Sequence, residues 1–221
     1  LSSIGAKKMI NKQFNFIRIH IKKTGGRSFW TIIGEGDLGH LSWLDYYREV
    51  DKTIKDYFVW SIVRNPWERM VSLFFHEKNE TGLLHTDDFS RFIEDIYLFD
   101  KFQYGKKHGY DTRPQTDMMK DHTNKLAVDF VGNLSNIQED FQKIKKRLNF
   151  PENWDYPHHG RQQHDDYRKY YNKLTIHYVS QLFEEEIKLF DFDFENNKKF
   201  KYLVEDLEKE PLQMNWRKRL N

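Results

Sequence analysis

The stretch FNFIRIHIKKTGGRSF, residues 14–29, decides the fold. Its first half, residues 14–21, is rich in β-branched and aromatic side chains and predicts a buried strand. Gly25 and Gly26 follow, and SFWTII after them predicts the opening of a helix. Such a loop can hold an anion, because glycines let the backbone come close and the first N–H groups of a helix point at the ligand. The string does not fit a Walker A loop, and a tight turn with solvated lysines is the competing interpretation.

A second strand-to-helix junction follows further along the chain. YFVWSIV, residues 57–63, is a continuous apolar run and predicts a strand buried on both faces. Asn65 is a favoured N-cap, Pro66 suits the first helical position and Glu68 adds an acidic residue to the first turn, so a helix is predicted to begin here. Arg64 lies at the junction, where its guanidinium could bind a phosphate or pair with a surface acid.

The rest of the chain continues the alternation of strands and helices. A weak capping box at Ser42 predicts a short helix as far as Val50, and LAVDFV, residues 126–131, predicts a third strand. Apolar residues at helical spacing predict three further helices, over residues 87–97, 137–148 and 174–190. Ser135 and Gln138 are the expected caps of the second of these. The alternation implies an α/β fold with a central parallel sheet flanked by helices.

The composition excludes several function classes. Lys and Arg total 36 against 34 Asp and Glu, a net charge of +2, which argues against a polybasic nucleic-acid or membrane binder. An aromatic content of 16% is too high for a disordered chain, and 221 residues without a linker or repeat predict one domain. The absence of cysteine excludes disulfide scaffolds, thiolate metal sites and cysteine nucleophiles. No apolar run could span a membrane and the first residues do not resemble a signal peptide, so a cytoplasmic protein is expected.

The segment HIKKTGGRSF, residues 20–29, resembles the 5′-phosphosulfate-binding loop of sulfotransferases that use 3′-phosphoadenosine 5′-phosphosulfate. In carbohydrate-type members this loop commonly reads H-I-P-K-T-G-G-T-S-F. Lys23 falls on the loop lysine of the family. Lys22 stands where the family usually has Pro, and Arg27 where it usually has Thr.

Two later segments resemble the same family. WSIVRNPWERMVSLF, residues 60–74, is similar to its 3′-phosphate motif, in which an Arg at a strand end is followed eight positions later by Ser, as Arg64 is by Ser72. DFVGNLSNIQEDF, residues 129–141, resembles a stretch of the bacterial and carbohydrate-modifying branch, sulfotransferase family 2-like. The resemblance extends over residues 14–194, and a chain without cysteine resembles cytosolic, microbial or viral members.

The resemblance implies a single sulfotransferase domain with a P-loop NTPase-like fold. Within residues 1–221 we expect the donor motifs in residues 14–75, the acceptor-binding segment in residues 76–122 and a charged extension in residues 195–221. The implied activity is transfer of a sulfuryl group from 3′-phosphoadenosine 5′-phosphosulfate to a hydroxyl acceptor, a carbohydrate, with 3′-phosphoadenosine 5′-phosphate as product and without a metal.

The resemblance also implies the residues of the site. The donor would be held by the loop and the two phosphate ligands: Lys22, Lys23, Thr24, Gly25, Gly26, Arg27, Ser28, Arg64 and Ser72. Independently of the resemblance, Arg161 lies in a polar stretch that could close over the nucleotide. Lys23 is expected to stabilise the leaving phosphate. His40 is the expected general base, since histidine titrates near neutral pH, although a solvated residue in a Gly-rich turn is an equal alternative. His20 is expected to be packed, and His76, Glu77 and His108 are the reserve candidates.

Acceptor recognition is assigned to the basic segment between the second and third motifs. His108, Arg113 and Gln115, with Lys106 and Lys107, are the candidates, and a solvated basic loop is the competing interpretation. Two other functions stay open. A P-loop-like nucleotide kinase or phosphotransferase would need Mg²⁺ and an acidic ligand, for which Asp129 is the candidate. A non-catalytic nucleotide-binding relative would keep the loop without turnover.

Overall fold

A computed structural model of the protein describes residues 10–33, 39–50, 53–82, 84, 86–99, 111–157 and 164–203. Four strands form one sheet in chain order: β1 (Ile10–Asn11), β2 (Phe16–Ile19), β3 (Phe58–Val63) and β4 (Phe130–Asn133). β1 pairs antiparallel with β2, whereas β2–β3 and β3–β4 are parallel pairs. The described residues therefore form a single α/β domain with a mostly parallel sheet.

Eight α-helices of the described residues flank this sheet. They are α1 (Gly26–Ile33), α2 (Trp43–Asp45), α3 (Pro66–His76), α4 (Phe89–Phe99), α5 (Gln115–Met119), α6 (Ile137–Leu148), α7 (Lys173–Leu182) and α8 (Glu184–Phe190). π-Helical turns continue α2 over Tyr46–Val50 and α3 over Glu77–Thr81. Short 3-10 turns lie at Ile54–Asp56, Leu134–Asn136 and Tyr167–Tyr170.

The three parallel strands bring their carboxyl ends to the same edge of the sheet. Ile19 of β2 pairs with Ser61 of β3, which in turn pairs with Val131 of β4. Every residue of β2, β3 and β4 is buried, as expected for strands covered on both faces. The segments that follow these strands therefore meet at one edge, where ligands of open α/β sheets bind.

The two strands predicted from apolar runs at residues 14–21 and 57–63 are present as β2 and β3, although β2 covers only Phe16–Ile19 of the first run. The third prediction, residues 126–131, is wrong in its bounds. Leu126 instead forms an isolated antiparallel bridge with Lys120, and the Oδ2 atom of Asp129 accepts a hydrogen bond of 2.8 Å from the backbone N–H of Val59. Asp129 thus lies just before β4, at the amino end of the strand.

The caps and bounds of the helices test the local predictions. The capping box at Ser42 is confirmed, and Asn65 caps α3 by accepting from the backbone N–H groups of its first turn. The predicted caps of α6 are wrong, because the Ser135 N–H donates to the side chain of Asn133, and Gln138 donates instead to a distant backbone carbonyl. The helix predicted over residues 174–190 is broken at Phe183 into α7 and α8.

A buried arginine ties the core to the loop that follows β2. Arg18 of β2 is fully buried, and its guanidinium lies over the rings of Phe29 and Trp60, 4.8 and 5.1 Å from their centroids. Its Nη2 atom donates to the carbonyl of Thr24 at 3.2 Å. The aromatic core therefore supports a cation directly beneath the glycine loop.

The segment from residue 195, predicted to be a charged extension, packs against the domain in its described part. The Phe200 ring stacks on Phe190, and the Tyr202 hydroxyl donates to Oδ1 of Asp140 at 2.6 Å. Residues 204–221 lie outside the described residues. The described part of this segment therefore packs against α6 and α8.

We expect Gly132→Ala to lower the free energy of unfolding by about 1–3 kcal/mol, the usual effect of overpacking a core. An added Cβ at Gly132 would lie 2.7 Å from Cδ1 of Ile62 and 2.9 Å from Oδ2 of Asp140. Removing that methyl with Ile62→Val should make the double variant more stable than the sum of the single effects. Urea unfolding of the four proteins measures this coupling, and strictly additive effects would contradict the described packing.

Candidate functional site

The loop between β2 and α1 is held by side-chain hydroxyls that donate to its backbone carbonyls. Lys23 and Gly25 adopt left-handed backbone angles, with φ of +70° and +78°. Thr24 is fully buried, and its Oγ1 donates to the carbonyl of Ile21 at 2.7 Å. The Tyr156 hydroxyl donates to the carbonyl of Gly25 from across the sheet edge. Within this loop Lys23 is the one residue other than glycine with a left-handed backbone angle, which marks a strained position.

Gly26 is required because the His20 ring packs against the first turn of α1. A Cβ at position 26 would lie 1.9 Å from Nε2 of His20, closer than any side chain could be accommodated. His20 itself is buried, as predicted from its position next to the strand. The first N–H groups of α1 have no acceptor within the helix, so they are available to an anion at this loop.

The loop forms one wall of a cavity of about 850 Å³ at the carboxyl edge of the sheet. Of the residues predicted for the donor site, eight line this cavity: Lys22, Lys23, Gly25, Gly26, Arg27, Ser28, Arg64 and Ser72. His40 lines it as well, whereas Thr24 lies beneath the loop and Arg113 and Gln115 are not among the lining residues. Arg161 and His108 lie outside the described residues.

The cations of the loop differ in their partners. The Lys22 ammonium lies 2.5 Å from Oε1 of the buried Glu77, and Arg27 pairs with Glu80. Among the described residues, the Lys23 ammonium makes no ion pair, although Glu80 acts on it electrostatically. Of the two loop lysines, Lys23 is therefore the one whose ammonium can bind an anion in the cavity.

The surroundings of Lys23 weaken its hold on a proton. The pKa of Lys23 is lowered from 10.5 to about 8, chiefly by burial and also by the nearby cations Arg64, Arg27 and Lys22, against the opposing effect of Glu80. A cation held among other cations stabilises an added anion strongly, because the anion relieves their mutual repulsion. At neutral pH most Lys23 side chains are still charged.

Arg64 connects the second motif to the same cavity. Its Nη1 donates to the carbonyl of Lys23 at 3.3 Å, and its Nη2 lies 3.0 Å from Oε1 of Glu68 one turn along α3. The Nε atom of Arg64 is buried and has no hydrogen-bond partner among the described residues. Ser72 lies further along α3 and is 4% exposed. The Arg64 guanidinium and the Ser72 hydroxyl therefore line the same cavity. The Nε–H group of Arg64 still lacks an acceptor among the described residues.

His40 lies against His20 beside the loop. The two rings are 4.5 Å apart, and Nδ1 of His40 is 3.1 Å from the carbonyl of His20. A neutral imidazole that donates from Nδ1 carries its lone pair on Nε2, as a general base requires. Arg113 donates to the carbonyl of His40 at 2.7 Å and pairs with Asp111 at 2.9 Å. Arg113 therefore contacts the segment that carries His40.

His76, one of the reserve candidates, also lines the cavity. Burial and the charge of Lys23 lower the pKa of His76 below its ordinary value, with the hydrogen bond to Glu80 opposing them. His76 is therefore neutral at physiological pH. Glu77, the other described reserve, is buried and occupied by Lys22.

Several lining residues were not found from the sequence. Tyr156, Tyr167 and Lys198 reach the cavity from the last third of the chain, and the turn Leu134–Asn136 reaches it from the end of β4. The turn falls within the third motif, residues 129–141, so position after a strand could have identified it. The other three carry no local signal, because only tertiary packing brings them to the loop.

Over the ranges given above, no helix is both long and apolar enough to cross a membrane. In the same part of the chain, no group of three or more His, Asp or Glu side chains is arranged to hold a metal ion.

Comparisons with known proteins place the chain in a family. A family model described as the sulfotransferase family matches residues 8–193, most of the 221 residues. An uncharacterized protein of Archaeoglobus fulgidus is 28% identical over 115 residues, which cover 52% of this chain and 86% of that relative. No solved structure matches the chain. Because the family model spans the sheet, the glycine loop and the Arg64 motif together, the protein belongs to the sulfotransferase family.

Proposed function

We propose that this protein transfers a sulfuryl group from 3′-phosphoadenosine 5′-phosphosulfate to a hydroxyl of a carbohydrate. The observation that carries the proposal is that Lys23, Arg64 and Ser72, from two separate motifs, line one cavity with the glycine loop. The strand, loop and helix over β2 and α1 further support a P-loop NTPase-like sulfotransferase fold. We extend the proposal to a single sulfotransferase domain over residues 1–221.

The cavity has two candidate anion sites, here called the anion cradles: one is the loop with Lys23 at the start of α1, and the other is the pair Arg64 and Ser72. Two such sites match a donor with an anionic group at each end. The first N–H groups of α1 and the Lys23 ammonium would hold the 5′-phosphosulfate. Arg64 and Ser72 would hold the 3′-phosphate, because a guanidinium and a hydroxyl supply several donors to one phosphate. The unsatisfied Nε of Arg64 fits this assignment, since a buried donor without a partner is costly unless a ligand completes it.

The side chains around the loop can perform in-line transfer. The bond between sulfur and the bridging oxygen breaks as the acceptor oxygen bonds to sulfur, and charge builds on the departing 5′-phosphate. Lys23 would neutralise that charge through a hydrogen bond to the bridging oxygen. His40 would accept the proton of the acceptor hydroxyl at Nε2, with His76 as the alternative base.

A carbohydrate acceptor is supported by the third motif, residues 129–141, which resembles the carbohydrate-modifying branch. Of the predicted acceptor residues, Arg113 contacts the backbone of His40 and Gln115 is fully buried, which supports a structural role for these two. The kinase alternative gains no support from Asp129, whose carboxylate accepts from Val59 N–H at the amino end of β4.

Binding of the product nucleotide tests the donor site. We expect calorimetry to show that 3′-phosphoadenosine 5′-phosphate binds the wild type, and that Lys23→Ala and Arg64→Ala each weaken binding at least about tenfold, the loss of one charge-assisted hydrogen bond. Lys12→Ala and Arg48→Ala remove exposed cations and are the matched controls. A wild type that does not bind this nucleotide would refute the proposal.

Transfer of radiolabelled sulfate from the donor nucleotide tests the reaction and the acceptor class. We expect turnover with oligosaccharides and none with phenols or lipids, and turnover should survive chelation of divalent metals. Nucleotide binding without transfer to any of a broad panel of glycans would favour the non-catalytic alternative. Transfer of phosphate from ATP would favour the kinase.

The depressed pKa of Lys23 predicts a pH-dependent affinity. Lys23 is charged below about pH 8 and loses its proton above it, so the apparent Kd of the nucleotide should rise above that pH. Above that pH the Kd should rise about tenfold per pH unit, up to the pH at which Lys23 also loses its proton in the nucleotide complex. The nucleotide phosphates are already fully ionised there, since their second pKa is about 6.

Lys23→Arg supplies the control for this profile, because a guanidinium stays charged throughout. Calorimetric titrations at pH 7 to 9.5, a range chosen about the pKa of Lys23, should show a rising Kd for the wild type and a flat profile for the variant. A flat wild-type profile would mean that Lys23 does not contact the bound nucleotide.

His40→Ala tests the assignment of the base. We expect kcat to fall by about 10²–10⁴, the range for loss of a general base, with an unchanged Kd for 3′-phosphoadenosine 5′-phosphate. His122→Ala, at an exposed position, is the matched control. If His76→Ala causes this loss and His40→Ala does not, the base is His76.

A further inference from the structure

The side chain of Gln115 forms hydrogen bonds with the backbone N–H and carbonyl of Arg64, as a neighbouring β-strand would. Arg64 directly follows β3, beyond the last ladder pair of Val63 with Asn133. The Gln115 amide then contacts both backbone groups of Arg64: Oε1 accepts from its N–H at 2.9 Å, and Nε2 donates to its carbonyl at 2.8 Å. This pair of hydrogen bonds fixes the backbone from which the Arg64 side chain projects.

Glu186 of α8 fixes the orientation of that amide. Its Oε1 accepts from Nε2 of Gln115 at 2.8 Å, and its Oε2 accepts from the backbone N–H of Gln115. Both residues are fully buried. Burial raises the pKa of Glu186 to about 7. When Glu186 is ionised, a reversed Gln115 amide would point its carbonyl at the Glu186 carboxylate and its NH₂ group at the Arg64 N–H, so Glu186 then favours the orientation that satisfies Arg64.

A buried arginine joins this pair to the donor loop. Arg69 of α3 is 1% exposed, and it acts electrostatically on Glu186 from the facing element. Its Nε donates to the carbonyl of Lys22 at 3.4 Å, and its Nη2 donates to the carbonyl of Arg113 at 2.9 Å. One buried polar network therefore contacts the segments that carry both anion cradles.

We propose that Gln115 and Glu186 are positioning residues that hold the Arg64 guanidinium at the site of the donor's 3′-phosphate. The proposal rests on the proposed function, because it needs Arg64 to bind that phosphate. It also reassigns Gln115, whose amide is buried and engaged by Arg64 and Glu186, from acceptor contact to support of the donor site.

The test is the preference for a 3′-phosphate, measured as the ratio of two Kd values by calorimetry. The ligands are adenosine 5′-phosphate and 3′-phosphoadenosine 5′-phosphate, which differ only in that group. For Gln115→Met we expect affinity for the second ligand to fall about 10–100-fold, the loss seen when the partner that orients a metal ligand is removed, and affinity for the first to stay within about twofold. A residue needed only for stability would weaken both ligands alike.

Three further variants complete the experiment. Arg64→Ala combined with Gln115→Met should bind no more weakly than Arg64→Ala alone, because Gln115 acts through Arg64. Gln181→Ala removes an exposed amide from α7 and should keep the wild-type ratio. If Gln115→Met fails to fold by circular dichroism, the isosteric Glu186→Gln takes its place, with a loss of the same sign expected because an NH₂ group would face a Gln115 N–H.

The outcomes separate the two proposals. A wild type without preference for the 3′-phosphate refutes the assignment of Arg64 and overturns both. A wild type with the preference, together with an unchanged ratio in folded Gln115→Met or Glu186→Gln, overturns the positioning role alone. A reduced ratio that disappears in the Arg64→Ala background supports it.

Discussion

Parallel pairing of β2 with β3 and of β3 with β4 is the constraint on which the candidate site depends. The chain leaves each of these strands at the same edge of the sheet, so the glycine loop, Arg64 and the turn Leu134–Asn136 meet there despite their separation in sequence. The 3.3 Å hydrogen bond from Arg64 to the carbonyl of Lys23 joins residues 41 positions apart. Without the parallel register, the two cradles would not share a cavity.

The same edge concentrates positive charge that the composition does not reveal. A net charge of +2 is distributed so that several loop cations face the cavity, with Lys22 and Arg27 paired to carboxylates of the turn after α3. Lys23 combines a left-handed backbone with a lowered pKa. Strain and a disfavoured charge at one residue are typical of a functional position, because the fold retains them against a stability cost.

The sequence predicted the parts of the fold that local patterns determine, and it missed those that depend on distant contacts. Apolar runs identified β2 and β3, and Asn65 identified the start of α3. The third strand was misplaced because Leu126 pairs with Lys120 in an isolated bridge, whereas the ladder with β3 begins only at Phe130. Helix α5 was missed because it is short, and the Gln115–Glu186 contact spans 71 positions without any periodic signal. The cavity walls from Tyr156 and Lys198 were missed for the same reason.

We propose that one nucleotide bridges the loop at the start of α1 and the Arg64–Ser72 pair in this cavity. A crystal structure of the complex with 3′-phosphoadenosine 5′-phosphate tests it most directly. The 3′-phosphate should lie within about 3 Å of the Arg64 guanidinium and the Ser72 hydroxyl, with the 5′-phosphate at the start of α1. A nucleotide bound with its phosphates reversed, or bound outside this cavity, would contradict the claim.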